Sequence, residues 1–183
     1  MYIQKLTSIN KKSFTAFMLG MDSQDRKFRF AHEVSEEYVK QYCDNADLDD
    51  GITYGAFIDT KLVGVVEGKM LKDNEIELSI LVDKNFRNKG IGFSLIQRLL
   101  IWTKAKRIKK IYSLCLTSNS WMMRVSKKIN MKIHSSYGES EGVLQVEPIF
   151  FPITLNQLEE MKNNYKMMID YNLYLLNAFK INK

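Results

Sequence analysis

The stretch Leu81-Val82-Asp83-Lys84-Asn85-Phe86-Arg87-Asn88-Lys89-Gly90-Ile91-Gly92-Phe93 decides how this chain folds. An apolar run ends at Val82, glycines stand at 90 and 92, and a stripe of helical period (Ile91, Leu95, Ile96, Leu99, Trp102) begins at once. Strand, loop and helix therefore follow one another without a break. The first turn of such a helix leaves its N–H groups free, and the helix dipole adds partial positive charge there. Glycines allow a ligand to approach that backbone closely. The place suits a pyrophosphate, and Arg87 and Lys89 add charge beside it. Two other phosphate loops are excluded. A Walker A loop needs Lys and then Ser or Thr directly after its last glycine, but Phe93 and Ser94 follow Gly92. A dinucleotide fingerprint needs a third glycine where Leu95 stands.

Outward from this stretch, periodicity predicts strands over residues 2–6, 52–58, 61–69 and 75–82 before the loop. Helices are expected from Ser8–Asn10 to Met21 and, capped by Ser35, through Tyr38, Val39 and Tyr42. Asp22 to Asp25 reads as a break, and 44–51 as an acidic turn, solvated or attracting a cationic amine. Downstream come a strand over 110–116, a helix over 119–129, strands over 131–136 and 142–146, and a long helix over 154–179. Strands mixed with helices in this order predict an α/β (α+β layered) fold with a mixed sheet. The expected organisation is one domain over 1–150 and a C-terminal helical extension over 151–183.

Composition narrows the class. The chain has 183 residues, 45% hydrophobic and 26% charged, as a globular protein with a core does. No apolar run is long enough for a membrane helix and the start lacks a signal-peptide pattern, so no membrane role and a cytoplasmic location are expected. Two cysteines and two histidines, unclustered, predict no metal site. A net charge of +6 favours an anionic partner. Nucleic acid is disfavoured, because the cations are dispersed except for Lys104 to Lys110 at a helix end, where they suit the dipole.

The run 75–131 resembles the GNAT superfamily of acyl-CoA-dependent N-acetyltransferases. Their pyrophosphate loop, [QR]-x-x-G-x-[GA], is met by Arg87, Gly90 and Gly92, and Val82 closes the strand before it. Asn119 opens the next helix as the family's Asn does, and Asn130-Met131 stands where the family often has Gly-Phe. Lys61 to Val65 looks like the start of the family's second hairpin strand. The likeness covers roughly residues 50–147. A weaker echo, Asp25 to Phe30 with Ser35 to Tyr38, resembles stand-alone GNAT domains related to bacterial protein-lysine acetyltransferases.

The resemblance implies a mixed, mostly antiparallel central sheet flanked by helices, here with an extra long C-terminal helix. It implies acetyl transfer from acetyl-CoA to a primary amine of a small molecule or protein lysine, through a ternary complex. Ile80, Leu81 and Val82 would run beside the pantetheine arm, with Arg87, Asn88, Lys89, Gly90, Ile91, Gly92 and Phe93 around the pyrophosphate. Asn119 would bind the cofactor through its amide, cap its helix, or do both.

An amine of pKa near ~10.4 must lose a proton before it attacks, and a carboxylate serves as the base. Glu75 and Glu77 share one face of their strand. Glu77, close to where many relatives place their base, is preferred, and Glu75 is the reserve. A backbone N–H near Leu81 or Val82 would receive the oxyanion. Many family members then carry a Tyr where Ser126 stands, to protonate the leaving thiolate. That departure motivates the alternative of a catalytically weak CoA-binding regulatory or interaction module. Finally, Thr154 and Gln157 form a capping box, and Leu158, Met161, Tyr165, Met168, Leu175 and Phe179 form a seam broken by Asn172. That pattern fits a homodimer through this helix or a helix laid on its own domain.

Overall fold

A computed structural model of the chain describes residues 1–72, 74–147 and 167. The chain divides into Met1–Pro148 and Ile149–Lys183, and the fold described is that of the first unit. The helix expected over 154–179, with its seam and capping box, lies outside the described residues.

The chain opens with β1 (Tyr2–Lys5), a 3-10 turn (Ser8–Asn10) and α1 (Lys11–Leu19). Next come α2 (Ser23–Phe30), α3 (Glu36–Asn45), β2 (Ile52–Ile58), β3 (Lys61–Met70) and β4 (Glu75–Val82). After the glycine loop follow α4 (Ile91–Ala105), β5 (Lys110–Leu116), α5 (Ser120–Lys128), β6 (Lys132–Ser136) and β7 (Glu139–Gln145). Two expectations need correction. The first helix does end before Asp22, but Asp22 to Asp25 is not a loop: Asp22 is the N-cap of α2, its side chain accepting from the N–H of Asp25 at 2.9 Å. A polar run with few apolar residues hid the helix, because the residue that reads as a breaker is also a favoured cap. Likewise β7 begins at Glu139 rather than Gly142, because Glu139 and Glu141 face solvent while Ser140 and Gly142 are buried.

The strands form one seven-stranded sheet in the order β1-β2-β3-β4-β5-β7-β6. Every neighbouring pair is antiparallel except β4 with β5. Side chains divide the core between the two faces, and a register shift of β2 against β3 at Ala56/Phe57, which skips Val63, resets the alternation along β3. Val63, Val66, Ile76 and Leu78 meet Ile91, Leu95 and Leu99 of α4 and Met122 and Val125 of α5. On the opposite face Phe57, Leu62, Val65 and Leu81 meet Phe14 and Met18 of α1 and Val39 and Cys43 of α3. The mixed, mostly antiparallel sheet expected from the sequence is the one observed.

The pairing of β4 with β5 positions the site. It extends only from Glu75↔Lys110 to Glu77↔Tyr112, whereas β4 stays paired with β3 up to Gly64↔Val82. Beyond Glu77 the two parallel strands part, and the β5-facing backbone groups of β4 have no strand partner. Glu75 and Glu77 therefore sit in the middle of the sheet and not on an edge.

Candidate active site

Gly90 is the N-cap of α4 with φ +77°, a left-handed conformation that costs any L side chain roughly 1–2 kcal/mol. Nothing stands near where its Cβ would be, so backbone conformation alone explains glycine here. Gly92 has a different reason. A Cβ on it would lie 2.6 Å from the Trp121 ring, so the indole of α5 occupies the space that the glycine leaves. The first turn of α4 thus meets α5 directly while its N–H groups face a cavity of about 490 Å³.

The cavity lies where β4 and β5 separate. Ile80, Leu81, Val82, Arg87 and Asn88 line it, as do Gly90, Ile91, Gly92, Phe93 and Asn119. Of the cofactor residues expected from the sequence, only Lys89 stays out of the lining, its ammonium lying 5.2 Å from the centre of the Phe86 ring. Asn119 caps α5, its side-chain oxygen accepting from the N–H of Met122 at 3.1 Å. Its amide N–H₂ has no such duty, so capping and ligand binding are compatible.

The contributions of two helices were not read from the sequence. Trp121, Arg124, Val125 and Lys128 form the α5 side of the cavity, and Asp25, Phe28 and Arg29 bring in α2. Arg87 donates from Nε to the Val82 carbonyl at 3.0 Å and from Nη2 to Asp25 at 2.5 Å. One turn earlier Lys84 pairs with Asp22 at 3.2 Å. Two carboxylates three residues apart on α2 therefore meet two cations three residues apart before the glycines. That matched spacing was the available signal. The Asp22 carboxyl is held below its usual range by the Asp25 N–H and then by Lys84.

Behind the cavity Arg29 is paired with Glu67 of β3 and donates to the Tyr42 hydroxyl at 2.8 Å, and Tyr42 donates to Glu67 at 2.6 Å. Burial pushes the Arg29 pKa down, but Glu67 and Tyr42 overcome it and hold the guanidinium charged. Burial, and then the Glu67 charge, push the Tyr42 hydroxyl up, so it remains protonated. With both carboxylate oxygens engaged, Glu67 is unavailable as a base.

The two candidate bases differ. Glu75 is ion-paired to Lys110 at 3.0 Å, and hydrogen bonds from Lys110 and Tyr112 lower its pKa. Glu77, half-buried beside Tyr112 on β5, makes no ion pair among the described residues. Neither carboxylate lines the cavity itself. Ser126 is only 3% exposed and lies in the α5 core, while Tyr137 projects fully into solvent at the β6–β7 turn. Cys43 is buried, its thiol pushed up to about 11 by burial and then by Glu67, so it is a packing residue and not a nucleophile. Among the described residues no three His, Cys, Asp or Glu gather as metal ligands do.

The sequence pattern of the acetyltransferase (GNAT) family matches residues 18–130. The chain belongs to the GNAT family. Streptothricin acetyltransferase of Escherichia coli is 31% identical over 97 residues, 52% of this chain and 56% of that protein, so the chain spans little more than half the length of this curated relative. Among solved structures, the GNAT domain of S. lividans PAT superposes with TM-score 0.65 at 15% identity, covering 78% of this GNAT chain and 89% of that one. The PaiA N-acetyltransferase from Thermoplasma acidophilum, solved in complex with coenzyme A, superposes with TM-score 0.61 at 20% identity, covering 79% and 98%. At these identities the likeness concerns the fold. No helix of the described residues is long and apolar enough to cross a membrane.

Proposed function

We propose that the chain transfers the acetyl group of acetyl-CoA to a primary amine, of a small molecule or of a protein lysine, within a ternary complex. One observation supports this reading above the others: the helix N-terminus entered through left-handed Gly90 opens beside a strand edge that β5 has left unpaired. An anionic pyrophosphate suits the first and an extended amide-bearing arm, pairing as a strand does, suits the second. The coenzyme A complex of the PaiA enzyme agrees with the choice of cofactor. A backbone N–H near Leu81 or Val82 would receive the oxyanion, and Glu77 would take the amine proton directly or through water. Its freedom from an ion pair favours Glu77, whereas the Lys110 contact makes Glu75 the weaker base.

Calorimetry with acetyl-CoA tests the reading first, and no binding at millimolar cofactor by folded protein overturns it. Glu77→Gln then lowers turnover ~100-fold or more, the usual scale for a general base, with cofactor affinity nearly unchanged. An unchanged rate removes Glu77 from the mechanism. The acceptor panel comprises lysine peptides, polyamines, aminoglycosides and, because of the E. coli relative, streptothricin.

A second reading, a CoA-binding module of weak activity, is favoured by burial of Ser126 where many relatives place an acid. Cofactor binding without acetylation of any acceptor supports it. Two free, buried cysteines suit a reducing compartment, so the cytoplasm is the proposed location. The seam over residues 158–179 supports a homodimer, which sedimentation of the full chain against one ending at Pro152 checks; a monomer at micromolar concentration ends that idea.

A further inference from the structure

The α5 wall of the cavity carries positive charge that no carboxylate neutralises among the described residues. Trp121, Arg124, Val125 and Lys128 all face the cavity, and their spacing of three and four puts them in one stripe of α5. Both ends of the stripe are pinned to the first turn of α4. Trp121 fills the space above Gly92, and the Lys128 ammonium lies 3.9 Å from the centre of the Phe93 ring. Arg124 stands between them in the same stripe and lines the same cavity. Among the described residues its only polar contact is with the Ser120 hydroxyl at 3.4 Å, and α5 contains no acidic residue. The one carboxylate in the lining, Asp25, is engaged by Arg87, and Arg29 has Glu67. Among the described residues Arg124 and Lys128 therefore form no ion pair and are exposed to the ligand space.

We infer that Arg124 and Lys128 form a subsite for a phosphate monoester, the 3′-phosphate at the nucleotide end of coenzyme A. This rests on the cofactor reading above. A monoester carries close to two negative charges at neutral pH and three acceptor oxygens, which match a guanidinium and an ammonium one helical turn apart. With the pyrophosphate assigned to the α4 N-terminus and the pantetheine arm to β4, the 3′-phosphate is the cofactor anion left for the basic stripe of α5. The ledge thus selects the 3′-phosphorylated cofactor over its dephospho form, a discrimination that the backbone cradle alone does not provide.

The experiment measures affinity of the full-length protein for coenzyme A and for dephospho-coenzyme A by calorimetry. The expected result is roughly tenfold or greater preference for coenzyme A, on the scale of one charge-assisted hydrogen-bond pair. In Arg124→Gln/Lys128→Gln that preference falls to about twofold or less, through loss of coenzyme A affinity alone. Both positions are exposed and Gln is a good helix former, so folding is preserved and far-UV dichroism checks it. Arg124→Lys, which keeps the charge, retains part of the preference. Equal affinity of the unmodified protein for the two ligands overturns the subsite while leaving the cofactor reading intact, as does an equal loss of both in the double variant. Failure of both ligands to bind overturns the cofactor reading and the subsite with it.

Discussion

The two walls of the cleft are built on different principles. The α4–α5 wall is a matter of backbone and packing: a left-handed Gly90, a helix start, and an indole set into the space above Gly92. The α2 wall is held by charge across long sequence separations. Asp22 with Lys84 and Asp25 with Arg87 each join residues 62 apart, and Arg29 reaches Glu67 behind them. The first wall rests on backbone conformation and apolar packing, and its assembly should be insensitive to salt and pH. The second exists only once the sheet has formed, and its exposed pairs weaken with added salt. The Arg29–Glu67 pair is different again, because it is buried and its loss strands a charge.

The largest effect is expected at that buried pair. Glu67→Gln removes the counter-charge of Arg29 and should destabilise the protein by about 3–5 kcal/mol in urea unfolding. The double variant Arg29→Met/Glu67→Leu recovers most of the loss, since replacing both charges leaves neither stranded. A double variant as unstable as the single one breaks the distinction between the walls.

On the opposite wall, Gly92→Val drives a branched side chain into the Trp121 ring. It should cost about 1–3 kcal/mol by overpacking and also lower cofactor affinity, since α4 and α5 must move apart. The melting midpoint and acetyl-CoA affinity check this, and both effects should persist unchanged in high salt. Salt-dependent recovery would show that charge also holds this wall.

The smallest effect, and the one that sharpens the contrast, concerns pH. The folded pKa of Asp22 lies below the ordinary Asp value of ~3.9, so its carboxylate stabilises the fold above that value. This contribution is lost as pH falls through the folded pKa, because the cap and the Lys84 partner need the ionised form. Asp22→Ala should cost about 0.5–2 kcal/mol at pH 7, as loss of an N-cap does. Its stability should converge toward that of the unmodified protein below pH ~4. Equal slopes of stability against pH in the two proteins would exclude Asp22 as a titrating latch.

What could be read before the structure, and what could not, follows the same division. The strand over 75–82, the glycine loop and α4 were legible because apolar period, glycine position and helix start agree over a few neighbouring residues. Asn130, which stands where the family often has Gly, takes the left-handed conformation that Asn tolerates, at φ +61°. The α2 helix was missed because its polar sequence gave periodicity little to work on, although Asp22 was a cap in plain view. Gly92 was assigned to ligand approach, and its tightest neighbour proved to be Trp121, which no spacing rule connects to it.

The sequence by itself determined most of the elements, the mixed sheet and the strand–glycine–helix turn at Gly90, because dihedral preference, side-chain period and helix dipole act over a few bonds. Only the tertiary structure gives Glu75 and Glu77 different surroundings. They lie two residues apart on one face of one strand, and nothing local separates them. The register of the parallel β4–β5 pairing sets Glu75 opposite Lys110 and Glu77 opposite Tyr112, so one carboxylate is neutralised and the other has no ion pair among the described residues. That register also ends the ladder at Glu77 and opens the cleft beyond it. Charge pairing and strand separation depend on which distant residues the sheet brings together, and that information resides in the assembled fold.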